Sequence, residues 1–440
     1  MKRSFLTLMI LPLFMVFNSV FFGAPNKKEY KDIKASFVNN KLAENDCKEC
    51  HSDIYNKKFM HAPASESCEN CHISNRESHP SDAGNDFSLA EKGSELCLMC
   101  HDVNSKKNIH YPITEENCNI CHSPHSSDYS KLLIKYPTSG LCYTCHDAEE
   151  TENKVVHYPY SEGDCSSCHD AHQSDYPSFM KERTNKLCID CHSDVGEEMK
   201  KEFVHYPADD NCLTCHKPHV SKEKDLLDEK EADVCYTCHE ALNTKKHVHE
   251  PVKEGECKLC HTPHGSNYEK FLIAKQEDLC IQCHQKTIWK EFKNKEQVEK
   301  NLNIHGAIEM GGCYACHKAH STDINSLLTA KYPSGLYAPA IKENFAMCFE
   351  CHDGDLITNS TNNKHVTGFR NGNQNLHFLH INGEKGRNCN NCHDTHSSIN
   401  DHLILKNIMF GNWEMPLKYK STENGGSCTP GCHGETIYVR

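Results

Sequence analysis

The sequence predicts a mainly irregular chain of short α-helices, elongated and built from repeats, with little or no β-sheet. Three observations carry that expectation. The chain has 440 residues of which only 37% are hydrophobic, and that fraction includes 30 Cys, so aliphatic side chains are too few for the cores that a chain of this length ordinarily makes. Cysteine motifs recur at near-constant intervals, which is the mark of a repeat. No stretch shows the repeated alternating strands of an outer-membrane barrel. The 48 basic residues are outnumbered by 61 acidic ones, net −13, which leaves no cationic footprint for nucleic acid.

The N-terminus places Lys2 and Arg3 before an apolar run from Phe5 to about Phe17, with Gly23 and Ala24 beyond it. This is the pattern of a secretory signal over residues 1–24. The stretch from Ser4 to Ala24 is also long enough to cross a bilayer once, so a cleaved signal and an uncleaved anchor both stay open. Either one exports the remainder, which begins with an N-terminal segment at 25–46.

The cysteines obey one grammar. Each pair is followed at once by His: Cys47, Cys50 and His51; Cys68, Cys71 and His72; Cys97, Cys100 and His101; Cys118, Cys121 and His122; Cys142, Cys145 and His146; Cys165, Cys168 and His169; Cys188, Cys191 and His192; Cys212, Cys215 and His216. The series continues with Cys235, Cys238 and His239; Cys257, Cys260 and His261; Cys280, Cys283 and His284; Cys313, Cys316 and His317; Cys348, Cys351 and His352; Cys389, Cys392 and His393. The last is a variant, CTPGCH, with Cys428, Cys432 and His433, in which Pro430 and Gly431 disfavour a regular turn. These fifteen motifs account for all 30 cysteines. Zinc ribbons and disulfides use CxxC but have no need of the following His, whereas CxxCH is the attachment site of c-type haem. Cys at i and i+3 with His at i+4 lie on one face of a helical turn, so two thioethers fix one porphyrin edge while the imidazole takes the iron.

Two motif types alternate, giving a unit of two haems in about 46 residues. One type reads Leu-Cys-x-x-Cys-His; the other is preceded by His-Tyr-Pro and followed by a His three positions after the proximal one. With 33 His in the chain, eighteen remain after the proximal set, enough for a second axial ligand on each haem. The upstream candidates are His61, His110, His157, His205, His249, His305 and His380, and the downstream ones His79, His125, His172, His219, His264, His320 and His396. His247, His365, His377 and His402 are left for the last site, of which His402 is taken as the ligand. A His three residues past its proximal neighbour stands on the same side of the turn and must serve another haem. The upstream member is expected to serve the haem just before it, with Pro stopping a helix there, so that each pair is laced by crossed ligands. Two imidazoles per iron favour lower potentials than a Met ligand gives.

These motifs, from residue 47 to 433, resemble the doubled-CxxCH multihaem cytochrome c family. The resemblance implies a haem-packed cytochrome with fifteen haem c groups, an electron carrier without catalytic residues. It also implies a periplasmic, outer-membrane or extracellular place in anaerobic respiration. The partners so implied are redox proteins: a quinol-oxidising membrane cytochrome, a porin or an outer-membrane cytochrome. A reductase with one open haem site and a subunit of a conducting filament remain as alternatives. Regular repeats occupy 47–290 and haems 1–11. Longer spacings set apart 291–440 with haems 12–15, where Trp289 to Asn301 reads as an exposed helix and Asp353 to Asn388 as a Gly- and Asn-rich loop, either a docking part or a surface elaboration.

Overall fold

The computed structural model describes residues 44–75, 79, 86–115, 117–290, 292–361 and 366–440. The signal pattern, most of the N-terminal segment and His365 lie outside these residues. The chain divides into two units, one of residues up to 97 together with 118–134, the other of 98–117 with 135–440.

Among the described residues the regular elements are short, the longest being the 14-residue helix Gln276–Trp289, and the two motif types fold differently. The Leu-Cys type ends a short α-helix, as at Thr138–Cys142, Thr184–Ile189 and Glu231–Tyr236. The second type forms a single 3₁₀ turn, as at Cys118–Ile120, Cys165–Ser167 and Cys212–Thr214. Both close on the same bond, the His amide donating to the carbonyl of the first Cys, for example His146 to Cys142 and His216 to Cys212 at 3.0 and 3.1 Å. The CTPGCH variant does neither. Cys428 ends the strand Gly425–Cys428, and the His433 amide reaches only the Pro430 carbonyl at 3.4 Å.

The prolines start helices where the sequence suggested that they stop them. Pro112, Pro159 and Pro207 stand in the first turn of Tyr111–Thr114, Tyr158–Ser161 and Tyr206–Asp210, where a missing amide costs nothing. The preceding His110, His157 and His205 are the extended N-cap residues.

Strand is more frequent than the patterning of the sequence indicates. Six antiparallel ladders of two residues tie consecutive repeats: Phe59–Met60 to Ser126–Ser127, Asn108–Ile109 to Gln173–Ser174, and Val155–Val156 to Val220–Ser221. Phe203–Val204 pairs Gly265–Ser266, His247–Val248 pairs Ser321–Thr322, and Asn303–Ile304 pairs Ser397–Ser398. Two residues are too few for alternation to register.

The aliphatic core is unevenly spread. Among the described residues of the repeats only Leu141, Val220, Leu272, Leu279 and Ile288 are buried apolar side chains, whereas the stretch beyond residue 330 has two clusters. One joins Ala338, Phe345, Ile357 and Ile381; the other joins Ile408, Met415 and Leu417. The segment from Asp353 to Asn388 is therefore not the plain loop expected. It contains Asp355–Thr358, the hairpin of Arg370–Asn371 with Gln374–Asn375, and Leu376–Ile381. Asn375, 1% exposed, holds it by donating to the Leu356 and Asn359 carbonyls at 3.1 and 2.8 Å. The expected exposed helix after Trp289 is broken at Lys290 (φ 57°) and resumes at Lys295–Asn301, with Val298 buried.

Candidate haem-binding sites

Six second-type motifs, from Cys118 to Cys389, begin a loop that builds two ligand positions at once. In the loop after His122, His125 follows three residues on; then Ser127 folds the chain back, its hydroxyl donating to the Leu133 carbonyl and accepting the Tyr129 amide. Lys131 and Leu132 both take positive φ, 56° and 57°, and the Lys131 carbonyl accepts the His122 Nδ1–H at 2.9 Å. The same device recurs in the loops after His169, His216, His261, His317 and His393, whose Nδ1 atoms donate to Ser178, Asp225, Lys270, Ser326 and His402 carbonyls at 2.8 to 3.0 Å. Two successive non-Gly residues in the left-handed region are strained, and here the strain aims a carbonyl at an imidazole. That bond fixes the tautomer, leaving Nε2 for a metal. Sequence reasoning missed this turn, although Ser or Thr two residues after the downstream His and a pair of large apolar residues near the loop end repeat with it.

The ladders then place the upstream histidines. The amides of His110, His157, His205, His249 and His305 donate to the carbonyls of His172, His219, His264, His320 and His396 at 2.8 to 2.9 Å. Their Nδ1 atoms point back along the same strands, His110 to Ala171, His157 to Pro218 and His205 to Pro263. Asp170 and Asp394 steady the downstream members by accepting the His172 and His396 amides at 2.9 Å. One two-residue ladder thus clamps two candidate distal ligands side by side.

Imidazoles come together in twos. His51 faces His79, His72 faces His125, His110 faces His146, and His157 faces His192, with ring centroids 6.0 to 6.2 Å apart. His169 with His219, His205 with His239, His216 with His264, and His249 with His284 lie at 5.9 to 6.3 Å. His261 with His320, His305 with His352, His317 with His396, and His377 with His393 complete the set at 6.0 to 6.2 Å. Ordinary aromatic pairs scatter over about 4.5–7 Å, so this narrow band needs a cause. An ion held by one nitrogen of each ring at about 2 Å sets such a spacing. Burial pushes several of these imidazoles towards the neutral form, among them His249, His305 and His320, and holds His377, beside His393, at about 4. Neutral imidazole is the form that ligates.

The pairing corrects three expectations. The upstream His does not face the haem before it: His110, His157, His205, His249 and His305 face the proximal His of the next Leu-Cys motif along the chain. The downstream His125, His219, His264, His320 and His396 face the proximal His of the preceding second-type motif, so lacing there runs between neighbouring pairs, whereas His79 with His51 and His377 with His393 lie within one. A ligand reaches its ring through a ladder, which joins one repeat to the next. Second, His377 and not His380 faces His393; His380 lies against Phe369 and donates to the Leu376 carbonyl. Third, His402 occupies the left-handed turn position held elsewhere by Lys131, Ser178 or Asp225, and contributes its carbonyl. His247 sits in a ladder opposite Thr322. Among the described residues no imidazole is paired with His433, whose Nδ1 donates to the Gly434 carbonyl.

The attachment thiols also adjoin in chain order. Within pairs the first cysteines meet: Cys188 hydrogen-bonds Cys212, Cys280 Cys313, and Cys348 Cys389. Between pairs the second cysteines are neighbours, Cys168 to Cys191, Cys215 to Cys238, Cys260 to Cys283 and Cys316 to Cys351; burial first and then the neighbouring thiol push the pKa of Cys168, Cys215, Cys260 and Cys316 up.

These residues fit haem. None of the thirty cysteines is in a disulfide, and among the described residues no three or more His, Cys, Asp or Glu converge as a metal site of their own. A structural zinc ion wants four protein ligands, whereas a porphyrin supplies its own and asks the chain for an axial two. Paired thiols with the next residue's imidazole are the attachment set of haem c, so fold and site together define a multihaem c-type cytochrome, a protein of electron transfer. The doubled CXXCH motif is matched at residues 61–106, 110–151, 157–197, 205–244, 249–288 and 305–356, more than half of the chain, which belongs to the doubled-CXXCH multihaem cytochrome family. Each match begins at one of the upstream candidate histidines. No curated protein matches the chain.

Proposed function

We propose that this chain is an exported conductor of electrons that carries fifteen haem c groups, at least twelve of them held between two histidines. The observation that carries the reading is the twelve histidine pairs at a common spacing, from His51 and His79 to His377 and His393. Haem c bound at these sites supplies a one-electron Fe(III)/Fe(II) couple. The chain's own part is to set order and spacing. Thiols that adjoin successively from Cys165 to Cys428 keep consecutive attachment sites together, and ladders that clamp ligands of two neighbouring pairs hold that order rigid. With both axial positions taken by imidazole, substrates have no place at those irons.

The signal pattern over residues 1–24 supports a periplasmic or outer-membrane setting, with redox proteins such as a quinol-oxidising cytochrome or a porin-bound cytochrome as partners. The formal charge of −13 favours partners with cationic docking faces. A reductive titration of the holo-protein tests the reading. Uptake of fifteen electrons per chain, with low-spin spectra that carbon monoxide leaves largely unchanged, is expected. Carbon monoxide binding to many haems would defeat it. A second reading, reduction of a small ligand at an open site, is favoured by His433, which no imidazole faces among the described residues, and carbon monoxide binding to a single haem that disappears in Cys428→Ala would identify it.

A further inference from the structure

The outward nitrogens of the paired imidazoles do not all meet the same kind of acceptor. Proximal histidines of the second-type motifs, and the upstream distal ones, donate to neutral main-chain carbonyls. Three downstream distal histidines depart from this: His79 Nδ1 donates to Asp86 Oδ2 at 2.9 Å, and the other two meet glutamates. His219 Nδ1 donates to Glu149 Oε1 at 2.8 Å, and His264 Nδ1 to Glu198 Oε2 at 3.0 Å. Neither glutamate belongs to a motif; each comes from the segment after a Leu-Cys site one repeat earlier. Both are held in place. The Glu149 amide donates to the Tyr160 hydroxyl at 2.7 Å, and the Tyr160 ring stacks on His219. A side chain on Gly265 would run into the Glu198 carbonyl, so only glycine lets the end of the helix Ser193–Glu198 approach there.

A carboxylate draws the Nδ1 proton more strongly than a carbonyl does, and the ring becomes a better electron donor through Nε2. Better donation stabilises Fe(III) over Fe(II). Resting on the axial roles given above to His219 and His264, we propose that Glu149 and Glu198 make the haems at Cys165 and Cys212 low-potential members of the repeat region. They would form a raised step in two successive repeats, reduced after haems whose histidines meet only carbonyls. Lys201 Nζ, 3.8 Å from Glu198 Oε1, shares that carboxylate and tempers its effect.

Potentiometric titration of the holo-protein, followed by optical and EPR spectra, tests this in three variants. In Glu149→Gln and in Glu198→Gln one haem should shift towards the reduced state by about tenfold relative to its neighbours, 59 mV for a one-electron couple, with haem content unchanged. In Lys201→Met one haem should shift the opposite way. Unmoved titration curves in both glutamine variants, or downward shifts, would overturn the proposal. His219→Ala and His264→Ala separate it from the ligand reading. If each creates one high-spin haem while the glutamine variants do nothing, only the carboxylate effect fails; if neither does, the axial roles fail and the proposal with them.

Discussion

Ser221 is 4% exposed and stands two residues beyond His219, its hydroxyl donating to the Leu227 carbonyl and accepting the Glu223 amide at 3.0 Å. Removing it strands both main-chain groups, and Ser221→Ala should cost about 1–3 kcal/mol in thermal unfolding of the holo-protein. Ser166→Ala, at a half-buried serine whose hydroxyl donates only to the exposed Asp164 carboxylate, should change little. The strained turns make a companion prediction. Ser326 has φ 57°, so a β-branched residue there adds strain, and Ser326→Val should lower stability by about 1–2 kcal/mol while Ser326→Gly stays near neutral. At the Cys389 haem the residue in question is the axial one. His377→Ala should turn one haem high-spin, whereas His380→Ala should leave its spin state alone; EPR of the ferric protein distinguishes them. The reverse outcome would restore the assignment suggested by offset. Both histidines lie one turn apart on Leu376–Ile381, and spacing cannot choose between neighbours on one helix face.

The element that organises the protein is the two-residue ladder. It is too short for propensity to announce it, and its meaning is long-range: it joins His157 to the haem of His192 and His219 to that of His169. Attachment motifs and the repeating offsets of the other histidines were legible, because covalent chemistry and periodicity both leave marks in the sequence. Which haem each distal histidine faces was not, since that depends on pairing between segments more than 50 residues apart, such as Val155 with Ser221. The proline rule failed for a related reason. Pro112 restrains the turn after His110 and not the strand before it, so reading it as a helix stop misplaced the ligand's direction. Gly265 offers the test at this scale. A methyl group there would meet the Glu198 carbonyl, so Gly265→Ala should part the ladder with Phe203–Val204 and cost about 1–3 kcal/mol. Calorimetry of the holo-protein would read the stability, and optical spectra the strain on His205 and His264.

Over the whole chain the interior is divided between two materials. Beyond residue 330, Phe345 and Ile357 are fully enclosed by apolar neighbours, and Ile408, Met415 and Leu417 form a second cluster. The regular repeats have few such side chains, and their imidazole pairs and thiols bound the space that haem would fill. The contrast predicts that a full-length chain made without haem attachment is cut by protease first within 47–290, with slower cuts after residue 330, as mass mapping of the fragments would show. The low apolar fraction made the need for another filler visible from the start; the C-terminal clusters were hidden because Asn and Gly in that stretch imitate a loop while Asn375 works as a buried brace. The most direct test of the central claim is the intact mass of the mature protein under denaturing conditions, where only covalent groups survive. The mass should exceed that of the polypeptide by fifteen haems, and a mass equal to the bare polypeptide would contradict the account.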